Sequence, residues 1–187
     1  MKRSMFLRKM DEWDRKGRRV YTLRDLRSLF PEDSALAFRN AVARLVDEKD
    51  APLKRVMKNV YVYAASRHPW THVAEEIART IRRGHHTYVS LESALSEHGV
   101  ISQIPVKHLT MITTGRPGKF EVGDIGTLEF THTGRAPREF LTGLLDVGRP
   151  LPLATRDLAL EDIRRIGRNL HLIQDDEPEE ETCHGLC

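Results

Sequence analysis

At 187 residues with a formal net charge of +3, the chain suits one ordinary domain or two small ones, and no stretch is apolar for long enough to span a membrane. The charge is uneven: residues 1–86 hold 20 Lys and Arg against 11 Asp and Glu, and residues 87–187 hold 10 against 16. A basic front half beside an acidic back half fits a nucleic-acid module joined to a unit that does not touch nucleic acid.

The basic opening, Met1 to Met10, lacks the apolar run of a signal peptide, so none is expected. Met5 to Arg15 predicts a first helix, with Phe6, Met10 and Trp13 roughly in line. Thr22 and Asp25 form the two halves of a capping box for a second helix, in which Leu23, Leu26 and Leu29-Phe30 recur at helical spacing until Pro31 stops it. Asp33-Ser34 caps a third helix, with Leu36, Ala37, Ala41, Leu45 and Val46 as its inward stripe. That leaves Arg39, Asn40, Ala43 and Arg44 outward, a small, polar and basic set of the kind that reads base edges in the major groove. Leu53 to Tyr63 reads as two strands around a Lys58-Asn59 turn, with cations placed to meet phosphate. Two capped helices followed by a basic hairpin is the layout of a winged helix-turn-helix.

Residues 65–69 form a link, and Trp70 to Arg83 predicts an amphipathic helix (Val73, Ala74, Ile77, Ala78, Ile81) ended by Gly84. Ser90 caps a short helix, Leu91 to His98, and Gly99 stops it. Residues 107–114, 120–122, 127–132, 144–147 and 151–154 have the β-branched or alternating texture of strands, with turns at 115–119 and 123–126. Thr155 caps a last helix, Arg156 to Asn169, whose apolar face is Leu158, Ile163, Ile166 and Leu170. The predicted architecture is α+β. Residues 1–66 are a winged helix-turn-helix domain, residues 67–173 a small mixed α/β domain, and residues 174–187 an acidic tail expected to be disordered.

A search for an active site in the back half mostly fails. Gly115-Arg116-Pro117-Gly118-Lys119-Phe120 resembles a phosphate loop but lacks the four-residue gap between glycines and the hydroxyl after Lys. Glu121, Asp124 and Glu129 sit on strands where solvated acids are routine. The nine histidines show no metal-ligand spacing, and His85-His86 after a helix end complements its dipole. Cys183 and Cys187, with His184, give only three possible zinc ligands; with both cysteines in the last five residues, no disulfide framework is expected and a reducing cytoplasm fits. No catalytic role, cofactor or metal is expected.

The segment Tyr88-Val89-Ser90-Leu91-Glu92-Ser93-Ala94-Leu95-Ser96-Glu97-His98-Gly99-Val100-Ile101-Ser102-Gln103-Ile104-Pro105 resembles the hallmark of AbiEi-type antitoxins, from type IV (abortive-infection) toxin–antitoxin systems. The likeness continues through Thr110 to Arg116, Gly126 to Phe130 and Leu153 to Leu160, with Arg156 where the family tends to carry Pro. The resemblance implies a bacterial cytoplasmic protein that binds inverted repeats in its own promoter as a repressor and counteracts a nucleotidyltransferase toxin. Within the hallmark segment, Tyr88, Leu91, Leu95, Ile101, Ile104 and Pro105 are read as core, and His98 as either a packed histidine or an interface donor.

Arg39, Asn40 and Arg44 are therefore the candidate base or phosphate contacts, with Lys54, Arg55, Lys58 and Asn59 on the hairpin. Arg116, Lys119, Arg135 and Arg138 are candidate exposed contacts to the toxin. The expected partners are double-stranded DNA and the toxin, directly or only functionally, with a monomer or weak dimer in solution and two copies on DNA. Two rivals keep the DNA-binding half: a transcriptional regulator whose back half senses a ligand, and a nucleic-acid enzyme using Asp124 or Glu129.

Overall fold

The computed structural model describes residues 2–101 and 107–173, and among them the chain is α+β, with six α-helices and two sheets. Ile104, Pro105, Cys183, Cys187 and the acidic segment 174–187 lie outside the described residues. No helix among the described residues is long and apolar enough to cross a membrane.

The front of the chain runs α1 (Arg3–Arg15), β1 (Val20–Thr22), α2 (Leu23–Ser28), α3 (Ala35–Asp47), β2 (Leu53–Met57) and β3 (Val60–Tyr63). The capping box at α2 forms as the sequence predicts: Thr22 Oγ1 accepts from the Asp25 amide at 3.1 Å, and the Asp25 carboxylate accepts from the Thr22 amide at 2.9 Å. The three strands make an antiparallel sheet in the order β1-β3-β2. Asn59 closes the β2–β3 turn at φ 61°, a left-handed conformation that Asn tolerates better than most residues.

The inward stripe of α3 differs from the one predicted. Phe38, Ala41, Val42 and Leu45 are buried, while Leu36 is 70% exposed and Ala37 is exposed too. The buried set satisfies i, i+3, i+4, i+7 more closely than the set built on Leu36, and Phe38 packs its ring 6.4 Å from Phe30. Rotating the helix to bury Leu36 would expose Phe38, and burying one such side chain is worth about 1.5–3 kcal/mol.

The remainder runs α4 (Val73–Ile81), β4 (Thr87–Val89), α5 (Leu91–Glu97), β5 (His108–Thr113), β6 (Gly118–Val122), β7 (Gly126–His132), β8 (Leu144–Leu145), β9 (Leu153–Ala154) and α6 (Arg156–Ile166). Its sheet has the order β6-β7-β5-β4-β9-β8, with β5 parallel to β7 and β4 parallel to β9. The last helix ends three residues earlier than predicted, because Gly167 takes φ 71° and caps it. Ser90 precedes α5 but makes no cap bond; its hydroxyl donates instead to Asp162 at 2.7 Å. Leu91 enters the helix at φ 57°, a left-handed value that strains any residue carrying a Cβ.

The three-stranded sheet is covered on both faces. Tyr21, Leu53, Tyr61 and Tyr63 pack against α1–α3, and Val20, Val56, Val60 and Val62 join the core built around α4 and the six-stranded sheet. Charged contacts reinforce the join. Arg19, 1% exposed, donates through Nε and Nη2 to Glu76 at 2.9 and 2.8 Å and through Nη1 to the His68 carbonyl at 2.7 Å. Asp14, equally buried, accepts from the Ser66 hydroxyl and from the amide and Nε of Arg67, so the chain between β3 and α4 is pinned rather than free.

Candidate nucleic-acid interface

Ser34 starts α3 by accepting from the Ala37 amide at 3.3 Å, and Phe38, Val42 and Leu45 fix which face turns inward. Arg39, Asn40, Ala43 and Arg44 are left exposed, as the sequence predicts, and Leu36 joins them. The hairpin lies beside this face. Between them is a cleft of about 370 Å³ lined by Arg39 and Ala43 of α3, Arg55 and Asn59 of the hairpin, and Asp47, among others. Arg39, Arg55 and Asn59 are thus brought together, with Asn40 and Arg44 along the same helix and Lys58 exposed at the turn. Among the described residues, no carboxylate is paired with Arg39, Arg44, Arg55 or Lys58, so these cations keep their donors for solvent or a ligand.

Lys54 does not belong to this group. In the strand register it stands opposite Val62 and Arg55 opposite Tyr61, and these two partners lie on opposite faces of the sheet. Lys54 Nζ instead pairs with Asp124 Oδ2 at 2.9 Å, at the β6–β7 turn of the other sheet. The prediction that all four hairpin residues serve one surface fails for this one. Period-two alternation separates neighbouring side chains on a strand, and a basic dipeptide cannot present both to the same partner.

At the start of α2, Asp25 also receives a bidentate contact from Arg83 at 2.8 and 3.1 Å and an ion pair from Arg18 at 3.0 Å. Burial works to raise its pKa. The hydrogen bonds from Arg83, from the Thr22 amide and hydroxyl and from Arg18 overcome that and hold the carboxyl well below the usual carboxylate range.

Of the four cations predicted to be exposed in the back half, Arg116, Lys119 and Arg138 are exposed and Arg135 is not. Arg135 is 8% exposed; its Nη2 donates to Asp162 Oδ1 and to the Tyr88 hydroxyl, and its Nη1 to Glu161 Oε1 at 3.2 Å. Asp162 sits on the inner face of α6, where burial pushes its carboxyl pKa up, and the guanidinium is its counter-charge. Arg135 is a core ion-pair partner, and the toxin-contact assignment is withdrawn for it.

The acids weighed for catalysis are engaged separately. Asp124 meets Lys54, Glu121 accepts from the Thr127 hydroxyl at 2.8 Å, and Glu129 pairs with Arg168 and with His108 at 3.0 Å. Among the described residues, no three His, Cys, Asp or Glu side chains converge as a metal site. His98 Nε2 lies 2.8 Å from the Ala154 carbonyl, which makes it a packed histidine. The residue that sequence reasoning missed is Leu36, and the signal was present: Phe38 four residues before Val42 and seven before Leu45 outcompetes it for the core. The chain matches no family model and no curated protein.

Proposed function

We propose that α1–α3 with the three-stranded sheet act as a winged helix-turn-helix, with α3 in the major groove and the β2–β3 turn against the backbone. On this reading Arg39 and Asn40 read bases, and Arg44, Arg55, Lys58 and Asn59 hold phosphates. The single observation that carries it is the outward face of α3, whose cations Arg39 and Arg44 have no carboxylate partner among the described residues and of which Arg39 shares a cleft with Arg55 and Asn59. Taken with the AbiEi resemblance of residues 88–160, we infer an antitoxin that represses its own promoter through inverted repeats and counteracts a nucleotidyltransferase toxin. Arg116, Lys119 and Arg138 are the exposed cations available for toxin contact.

Mobility shifts of the full chain on its upstream DNA, at two salt concentrations, test the first half. About three phosphates neutralised per chain, by Arg44, Arg55 and Lys58, predict a log–log slope near −2.7. Binding that ignores salt, or that survives reversal of charge at both Arg44 and Arg55, would sink it. Co-expression with the product of the neighbouring gene tests the second half: growth rescue is expected, and no rescue removes the antitoxin reading while leaving the DNA reading intact.

A further inference from the structure

A second and larger concavity, about 1110 Å³, opens between the α1–β1 connection and the C-terminal end of α4. None of its lining residues belongs to α3 or the hairpin, so it is separate from the interface described above. Cations reach it from three segments: Lys16, Arg18 and Arg19 before β1, Arg79, Arg82 and Arg83 at the end of α4, and Arg149 before β9. His85 and His86 complete the wall, and only Glu76 and Asp146 among the lining residues are acidic.

Several of these charges are already answered. Arg19 is held by Glu76, Arg149 by Glu75 and Glu97, and Lys16 by Glu12. Arg18 and Arg83 divide a single carboxylate, that of Asp25. Arg79 and Arg82 have no carboxylate partner among the described residues. Arg82 is held by ring faces instead, 4.3 Å from the centroid of Phe130 and 5.3 Å from that of Phe120, and its buried Nε has no hydrogen-bond partner. Its pKa is lowered by burial alone, the mark of a desolvated cation without a counter-charge. Among the described residues Arg18, Arg82, Arg135 and Arg149 each have a buried nitrogen without a hydrogen bond, and of these Arg82 alone has no carboxylate partner, which the helix dipole at the end of α4 does not explain.

We propose that this cleft binds a nucleoside polyphosphate, with the phosphates taken by Arg79, Arg82 and the shared pair Arg18 and Arg83. Guanidinium forks match phosphate oxygens two at a time, and several converge here on one hollow instead of lying along a ridge as they would to follow a strand. Val20, Pro150, Leu151 and Pro152 give the same cleft apolar wall for a sugar or base. Its volume lies just above the range of about 300–1,000 Å³ usual for small-ligand pockets, so the ligand fills part of it. The walls come from both sides of the Arg19–Glu76 join, so a bound nucleotide bridges the three-stranded sheet's unit and the rest of the chain. The site stands whether or not α3 reads DNA, and its test uses none.

Calorimetric titration of the full chain with inorganic tripolyphosphate, and separately with ATP, at physiological salt is expected to show one saturable site per chain. Arg79→Glu, an exposed position, weakens both by about tenfold or more, and Arg82→Lys, which keeps the charge and loses the fork, also weakens them. Paired changes at Arg164 and Arg165 on α6, which alter net charge away from the cleft, leave both unchanged. The proposal is overturned by any of four results: no saturable binding to the unaltered chain, equal affinity in Arg79→Glu, the same loss in the α6 variant, or an inert tripolyphosphate beside a single-stranded oligonucleotide held by these arginines.

Discussion

The arginines of α3 and those of the six-stranded unit are the same residue in two physical situations. Arg39 and Arg44 stand on an exposed helix face with no carboxylate paired to them among the described residues. Arg135 is buried against Asp162, and Arg168 bridges Glu92 and Glu129, which raises its own pKa beyond an already high value. A guanidinium whose charge is answered by carboxylates inside the fold is part of the fold. One whose donors are unfilled beside a cleft is available to something outside it. Lys and Arg counts do not separate the two cases, whereas partners do.

The sharpest way to break this contrast is to remove one member of each class. Arg135→Ala leaves Asp162 as an unpaired buried carboxylate and is expected to cost about 3–5 kcal/mol in urea unfolding, because a buried charge stripped of its partner loses far more than the pair contributes. The fraction that stays folded should bind DNA as before. Asn40→Ala should do the opposite, leaving the unfolding midpoint nearly unchanged and costing about 1–3 kcal/mol in binding at one base position of the operator. A large stability loss from Asn40→Ala would place that side chain with the packed class and undo the division.

Acid titration sharpens the same contrast at the foot of α2. Asp25 has a folded-state pKa below its unfolded value, so its contribution to stability is complete above an unfolded pKa of about 3.9 and is lost as pH falls below it towards the folded value. Thermal melts between neutral and strongly acidic pH should show that loss, and Asp25→Asn should flatten it. An unchanged acid limb in the variant would mean that the Thr22, Arg18 and Arg83 contacts do not stabilise the ionised carboxylate.

How much of this was legible in the sequence depends on which interactions are local. Thr22 with Asp25, Ser34 before α3, Thr155 before α6 and the Asn59 turn are decided within a few residues and read directly. Gly167, by contrast, is missed as a stop, and Ser90 caps nothing because its hydroxyl goes to Asp162, 72 residues away. The inward stripe of α3 was misread because Leu36 is apolar, although the spacing of Phe38, Ala41, Val42 and Leu45 already marks the face that Phe38 then anchors against Phe30. Arg135 was misread because its partner lies on α6, 27 residues away. The cleft between the α1–β1 connection and α4 was invisible for the same reason: its cations come from three separated segments that only the assembled fold brings together. Local chemistry is legible in sequence, and long-range pairing of charge is not.

The smallest effect expected is also the one that discriminates most finely, because it compares two lysines four residues apart. Lys58 is exposed at the β2–β3 turn without a carboxylate partner among the described residues, and Lys54 is exposed too but lies on the other face of the sheet, tied to Asp124. Lys58→Ala should weaken binding to all DNA sequences alike and reduce the salt slope by about 0.9, the signature of one lost phosphate contact. Lys54→Ala should change neither affinity nor slope, and Asp124→Ala, which frees the Lys54 ammonium, should leave DNA binding where it was. The Lys54–Asp124 pair joins two solvated side chains, so its removal should barely alter stability. Equal slopes lost at Lys54 and Lys58 would mean that the hairpin meets the backbone with both faces, and that strand alternation does not sort its cations.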